Sequence, residues 1–211
     1  MIAPRRGRLI VLEGGEGAGK STQIGVVRDW LGARGRRVIT TREPGGSPLA
    51  EAIRGLVLGT WAEGVDAVTE LLLIFAARAA HLHGTIRPAL ADDIDVVCDR
   101  FVDASYAYQG GGRGLDRRHL DALSALVLED LKPDLVLLLD LPAEQGLARA
   151  RARGGNNRFE EETLAFLQRV RLAYQAQAAR EPERYRLIDA RLDQSAVSEQ
   201  IVTVLERWSH R

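Results

Sequence analysis

Gly14, Gly19, Lys20 and Ser21 stand at the spacing G-x-x-x-x-G-K-S inside EGGEGAGKST, directly after the apolar run Leu9 to Leu12. Those residue types at that spacing suit the chemistry of a polyphosphate. Glycines let the chain wrap so that successive N–H groups, and the N-terminus of the helix that follows, face the β- and γ-phosphates of a nucleotide. Lys20 adds a mobile positive charge, and Ser21 a hydroxyl able to ligate Mg²⁺. The nucleotide-binding candidates are Gly14, Gly15, Glu16, Gly17, Ala18, Gly19, Lys20, Ser21 and Thr22. Of 29 basic residues only Lys20 and Lys132 are lysines, so a lysine at this position is poorly explained by composition.

A phosphate loop is shared by kinases, GTPases, ATPase motors and nucleotide-dependent switches, and other residues must separate them. The guanine-reading N-K-x-D pattern is absent, because the only asparagines are Asn156 and Asn157. Asp99 follows the run Ile94 to Cys98 and is a second candidate for the magnesium site. Arg100 comes next, where ATPases typically carry a water-polarising Glu, and a cation there favours transfer over hydrolysis. Arg42, in TREPGG after the run Val38 to Thr41, can grip a monophosphate with its planar fork, and Pro44-Gly45-Gly46 makes a tight loop that aims it. Phe75 and Arg78, three apart on one helical face, can project into one pocket. The apolar stretch Leu71 to Ile74 leaves open that Phe75 is core instead.

Such residues need a scaffold that gathers them. Short β-branched and apolar runs predict five strands, at Leu9 to Leu12, Val38 to Thr41, Ile94 to Cys98, Leu135 to Leu139 and Tyr185 to Ile188. Helical spacing covers Lys20 to Ala33, Pro48 to Leu58, Ala67 to Ala91, Arg117 to Leu131, Ala143 to Arg153, Glu161 to Arg180 and Gln194 to Trp208. This alternation predicts an α/β fold, a mostly parallel sheet with helices on both faces, and a ligand crevice at the carboxyl ends of the strands. Arg149 to Arg158 (RARARGGNNR) is a Gly- and Arg-rich interruption suited to a lid. The 211 residues, 45% of them hydrophobic, suit one domain. With 29 basic against 29 acidic residues, a nucleic-acid partner is disfavoured. The apolar runs are too short to span a membrane, MIAPRRGR precedes no signal-peptide core, and the lone Cys98 forms no intrachain disulfide, so a soluble cytoplasmic protein is expected.

EGGEGAGKST, TREPGG, FAAR (Phe75 to Arg78) and CDRFVDASYAYQGGGRG (Cys98 to Gly114) follow one another in an order and spacing that resembles the thymidylate kinase family, from Leu9 to the last helix. The resemblance implies a P-loop NMP-kinase fold with a five-stranded parallel sheet, a short LID at about residues 149–160, a homodimer, and conversion of ATP and dTMP to ADP and dTDP. It implies that Arg42 binds the acceptor phosphate, Phe75 stacks on thymine, Arg78 donates to its O4 and Ser105 accepts from N3–H. Tyr108 would sit against sugar C2′, with Gln109 in the same pocket, and Glu16 would read the 3′-OH. Asp99 would hold the metal's water shell, and Arg100 would bridge donor and acceptor phosphates. Gly17 stands where some members carry an arginine. Arg149, Arg151, Arg153 and Arg158 place the chain with members whose LID supplies arginines, Arg149 or Arg153 stacking on adenine and Arg158 meeting the γ-phosphate. Asn157, where relatives often carry an acid, is a departure. Two other readings stand beside this one: another nucleoside or nucleotide kinase of the same fold, which would share Lys20 but not Arg42 with Phe75-x-x-Arg78, and a nucleotide-dependent switch.

Overall fold

The computed structural model describes residues 6–152, 154, 159 and 162–209. Five strands, β1 (Leu9–Glu13), β2 (Val38–Arg42), β3 (Asp95–Asp99), β4 (Leu135–Asp140) and β5 (Tyr185–Asp189), form one parallel sheet in the order β2-β3-β1-β4-β5. Each ends one residue later than its apolar run, because the sheet hydrogen bonds continue into a polar residue: Glu13, Arg42, Asp99, Asp140 and Asp189. Those five residues lie at the carboxyl rim, where a ligand crevice belongs.

Alternation along the strands divides the core in two. Leu9, Val11, Val96, Cys98, Val136 and Leu138 face α2 (Pro48–Leu58), α3 (Ala67–His81), α6 (Arg117–Leu128) and α8 (Leu164–Arg180). Ile10, Leu12, Val97, Leu135, Leu137 and Leu139 face α1 (Lys20–Gly32) and α9 (Gln194–Ser209). β1, buried at all five positions, is the central strand that both layers require to be apolar.

The helix expected over 67–91 is three pieces: α3, a π-helical turn Leu82–Ile86, and α4 (Arg87–Ala91). Pro88 has no N–H to give to the carbonyl of Gly84, and a widened turn absorbs the missing bond. Arg117 to Leu131 ends instead at Leu128, where Glu129 takes a positive φ of 56°. α8 starts at Leu164 rather than Glu161, its N-cap Thr163 accepting from Phe166 N–H at 3.2 Å. α7 is Ala143–Ala152. One helical stretch is unannounced by periodicity: α5 (Val102–Ser105) runs into a π-helical segment Tyr106–Gly112. A Cβ on Gly111 would meet Ala173 of α8 at 2.6 Å and one on Gly112 would meet Phe166 at 2.5 Å, so the smallness of these two glycines lets the segment lie directly on α8.

Candidate active site

β2, β3 and β1 lie side by side, and their register sets Asp99 between Leu12 and Arg42. Three loops therefore leave the sheet at one rim and surround a cavity of about 270 Å³. Residues far apart in the chain meet there by topology alone.

The loop after β1 carries Gly17, Ala18, Gly19, Lys20 and Ser21 into the cavity wall. Lys20, 7% exposed, donates from Nζ to the carbonyls of Gly14 at 3.1 Å and Gly15 at 3.0 Å. Burial, and then the charge of Arg100, push its ammonium below the ordinary lysine range. Phosphate oxygens would compensate that desolvated charge better than two carbonyls. Gly17 has φ 70°, and a Cβ there would collide with the carbonyl of Gly146 in α7, while a Cβ on Gly146 would collide with the carbonyl of Glu16. An arginine at position 17 would have to displace α7, so in this chain the phosphate loop itself has no room for one.

Arg100 follows Asp99 with φ 67°, a left-handed conformation that is uncommon outside glycine and is found where surrounding contacts enforce it. Its N–H donates to Leu12 at 2.9 Å. Nη1 donates to the Gly14 carbonyl at 2.9 Å and the Tyr174 hydroxyl at 3.2 Å, and Nη2 to Glu16 Oε1 at 2.7 Å. The guanidinium lies 4.8 Å from the Tyr108 ring centre, and the Tyr108 hydroxyl also donates to Glu16 Oε1, at 2.9 Å. Beside it Asp99 Oδ1 is buried with no hydrogen-bond partner among the described residues. An orphaned carboxylate oxygen next to Lys20 and Ser21 is the kind of hard donor that Mg²⁺ takes. Among the described residues no cluster of three His, Cys, Asp or Glu could hold an ion alone, so phosphates and water would complete such a shell.

Opposite the phosphate loop, Arg42 Nη2 donates to Glu51 Oε2 at 2.9 Å. Glu51 Oε1 accepts from Gly46 N–H at 2.8 Å. That backbone bond first, and Arg42 after it, hold the Glu51 carboxyl below its usual range despite some burial. Arg54 of α2 donates to the Pro44 carbonyl at 2.7 Å and also lines the cavity, its guanidinium lowered by burial and by Arg42. Deeper in, Arg78 is 1% exposed: Nε donates to Glu43 Oε2 at 2.6 Å, Nη1 to Ser105 Oγ at 3.0 Å and Nη2 to the Phe101 carbonyl at 3.0 Å. Glu43 is also paired with His81 Nδ1 at 3.1 Å, and His81 Nε2 with Thr41 Oγ1 at 2.7 Å. Among the described residues three of Arg78's five N–H groups are used, and one on each terminal nitrogen remains beside the cavity.

The thymidylate kinase family profile matches residues 12–201. The thymidylate kinase of Pseudomonas syringae pv. tomato is 58% identical over 184 residues, covering 87% of this chain and 88% of that protein. That of Chromohalobacter salexigens is 55% identical over 209 residues, covering 96% and 99%. This chain belongs to the thymidylate kinase family. The crystal structure of thymidylate kinase from Ehrlichia chaffeensis superposes with a TM-score of 0.78 at 31% identity, over 95% of this chain and 99% of that one. The sheet order and both helical layers described above are thus those of a P-loop NMP kinase.

Of the residues that the thymidylate kinase resemblance singles out, Glu16, Arg42, Arg78, Asp99, Arg100, Ser105, Tyr108 and Gln109 share the cavity wall. Gln109 donates to Glu70 Oε1 at 2.7 Å. Phe75 is 2% exposed, lies in the core beneath the Arg78 guanidinium at 4.7 Å, and is not part of the wall, whereas Ile74 is. The rotation between adjacent helical positions, about 100°, presents Ile74 rather than Phe75. Thr22 is exposed beyond the wall. Arg149 also lies away from it, donating to the Ala190 carbonyl after β5 at 3.0 Å. Arg151 is exposed. Arg153 and Arg158 lie outside the described residues. Residues that sequence reasoning passes over are Glu13, Glu43, Arg54, Ile74 and Tyr174. Only Glu13 carries a local signal, a carboxylate closing an otherwise apolar strand.

Proposed function

We propose that the chain transfers the γ-phosphoryl group of ATP to the phosphate of dTMP, giving dTDP and ADP, within a single domain over residues 1–211 whose LID spans about 149–160. The observation that carries this reading is the convergence of Lys20, Arg42, Arg54 and Arg100 on one cavity whose far end is the buried Arg78–Ser105 pair. An acceptor phosphate is already anionic and needs no general base; the difficulty is to bring two anions into line. Lys20 and the loop N–H groups hold the donor, Arg42 and Arg54 the acceptor, and Arg100 lies between. Asp99 and Ser21 would hold Mg²⁺, which supplies charge neutralisation of the β- and γ-oxygens when bound. Glu16 now accepts from Arg100 and Tyr108. Phosphates arriving at Arg100 compete with that bond and leave Glu16 able to accept the sugar 3′-OH. The LID arginines Arg149, Arg153 and Arg158 would close over ATP.

At the base end, the two N–H groups left on Arg78 suit thymine O4, and Ser105 Oγ retains a lone pair for N3–H. Cytosine offers an amino donor where O4 would be, so donor faces donor at a cost of roughly 1–3 kcal/mol per lost bond, more beside a charge. Uracil lacks only the 5-methyl, worth about 0.8 kcal/mol. An ADP-release assay with dTMP, dUMP, dCMP, UMP and dGMP tests the assignment: dTMP first, dUMP reduced, dCMP rejected. Equal turnover of dCMP and dTMP removes the base assignment, and ADP release indifferent to any acceptor removes the kinase. Val68 and Leu72 of α3 and Leu126 of α6 are 52%, 53% and 75% exposed on helices that pack together. They support a homodimer, checked by sedimentation. No helix among the described residues is long and apolar enough to cross a membrane, and cytoplasmic residence follows from the expected use of ATP.

A further inference from the structure

We infer that Glu13 and Tyr174 form a buried tether that holds Arg100 in its bridging position, making Glu13 a positioning residue for phosphoryl transfer. The inference rests on the reading of Arg100 as the bridging cation.

Glu13 ends β1 and is 0% exposed. Among the described residues its oxygens have one partner each: Oε1 accepts from Phe101 N–H at 2.8 Å, and Oε2 from the Tyr174 hydroxyl at 2.7 Å. Neither is a cation, although a buried carboxylate is costly without one. What the two partners have in common is Arg100. Phe101 is the next residue, so its N–H belongs to the peptide that Arg100 itself begins, and the Tyr174 hydroxyl accepts from Arg100 Nη1 at 3.2 Å. Glu13 thus restrains Arg100 at both ends, its left-handed backbone through Phe101 and its guanidinium through Tyr174. Tyr174 sits on α8, the helix that follows the LID segment, and 161 residues separate it from Glu13.

The surroundings make this carboxylate responsive. Burial first, then the charge of Asp103 on α5, push Glu13 up to about 8, while Arg100, the Tyr174 hydroxyl and Phe101 N–H pull the other way. Lys20 of α1, Cys98 of β3 and Tyr185 of β5 also feel its charge. A side chain needed only to fill this end of the strand would be apolar, like its four predecessors.

Above pH 8, where Glu13 is ionised, Glu13→Gln preserves the shape and can still accept from Phe101, but offers Tyr174 a donor where the carboxylate offers an acceptor. The test, run at about pH 9, compares kcat, KM for both substrates and Tm in wild type, E13Q, Y174F, R100A and E13Q/R100A. E13Q and Y174F are expected to lose roughly 10- to 100-fold in kcat with each KM within about threefold, and E13Q/R100A to turn over no more slowly than R100A, because groups acting as one unit are not additive. If E13Q fails to fold, Y174F and Y174F/R100A carry the same comparison, since Glu13 keeps its bond to Phe101. Wild-type kcat in E13Q at a lowered Tm, or a double variant that shows the product of both losses, overturns the tether. Wild-type kcat in R100A overturns the reading of Arg100 instead, and the inference with it.

Discussion

Arg78 and Arg42 both face the acceptor cavity, and they are held in opposite ways. Arg78 is sealed beneath the surface with its Nε on Glu43 and its terminal nitrogens on Ser105 and Phe101. The Arg42 side chain is 53% exposed and, among the described residues, tied only to Glu51, itself 41% exposed. The first arrangement is preorganised in a low dielectric, where a mismatched partner is expensive; the second is wet and free to adjust. The division matches what each end must do. Telling one base from another needs fixed donors, whereas every monophosphate presents the same oxygens, and those must move into line with the donor.

Four experiments break or sharpen that contrast. The largest effect belongs to neither arginine but to Lys20, the charge aimed at the transferred group from the donor side. Lys20→Ala should cost 10²- to 10⁴-fold in kcat, about 3–5 kcal/mol. Its Tm should hold, because a buried cation with lowered affinity for its proton is not stabilising the fold. Turnover near wild type with early melting would make Lys20 structural.

Next comes Arg78→Ala. Removing it leaves Glu43 buried with His81 as its remaining side-chain partner, and unfolding should become easier by about 3–5 kcal/mol. Selectivity between dTMP and dCMP should narrow in the same variant, read as the ratio of kcat/KM values at a temperature where it is folded. A dTMP to dCMP ratio unchanged from wild type would detach Arg78 from base reading and leave it a core ion pair.

Arg42→Ala should invert the pattern. Its stability should lie within about 0.5 kcal/mol of wild type, as for exposed pairs generally. KM for dTMP should rise roughly tenfold or more, with KM for ATP nearly constant, because a charge-assisted bond to phosphate is lost. Equal rises in both KM values would place Arg42 outside the acceptor site.

The fourth effect is spread over several pH units rather than read at one, and it belongs to Glu13. Its ordinary carboxyl value is 4.5, and in the folded chain it stands at about 8. Between those values the folded protein keeps a proton that the unfolded chain has released, so stability from this group is fullest below pH 4.5, falls as pH rises towards 8, and levels off above. The slope cannot exceed about 1.4 kcal/mol per pH unit for one proton. Chemical denaturation across this range should show a decline in wild type that Glu13→Gln flattens; parallel profiles would mean that Glu13 is ionised throughout.

Contiguous chemistry is legible in the linear chain. The phosphate loop, the five strands and most helices follow from local spacing, since a strand–loop–helix unit closes within about twenty residues and its hydrogen bonds are mostly its own. Phe75 shows where that reasoning stops: periodicity assigns it to a face shared with Arg78, but a helix has more than one buried side, and only the packing of α3 against the sheet decides that Ile74 meets the cavity while Phe75 stays beneath the guanidinium. The helical stretch from Val102 to Gly112 escapes notice for a similar reason, Gly111 and Gly112 being selected by the nearness of α8 and not by a turn. Glu13, Glu43, Arg54 and Tyr174 are ordinary residues until the strand order β2-β3-β1 sets their neighbours beside them. Burial turns a carboxylate at a strand end into a group near pH 8, and burial is a property of the whole fold, because it depends on which distant side chains replace water around each charge.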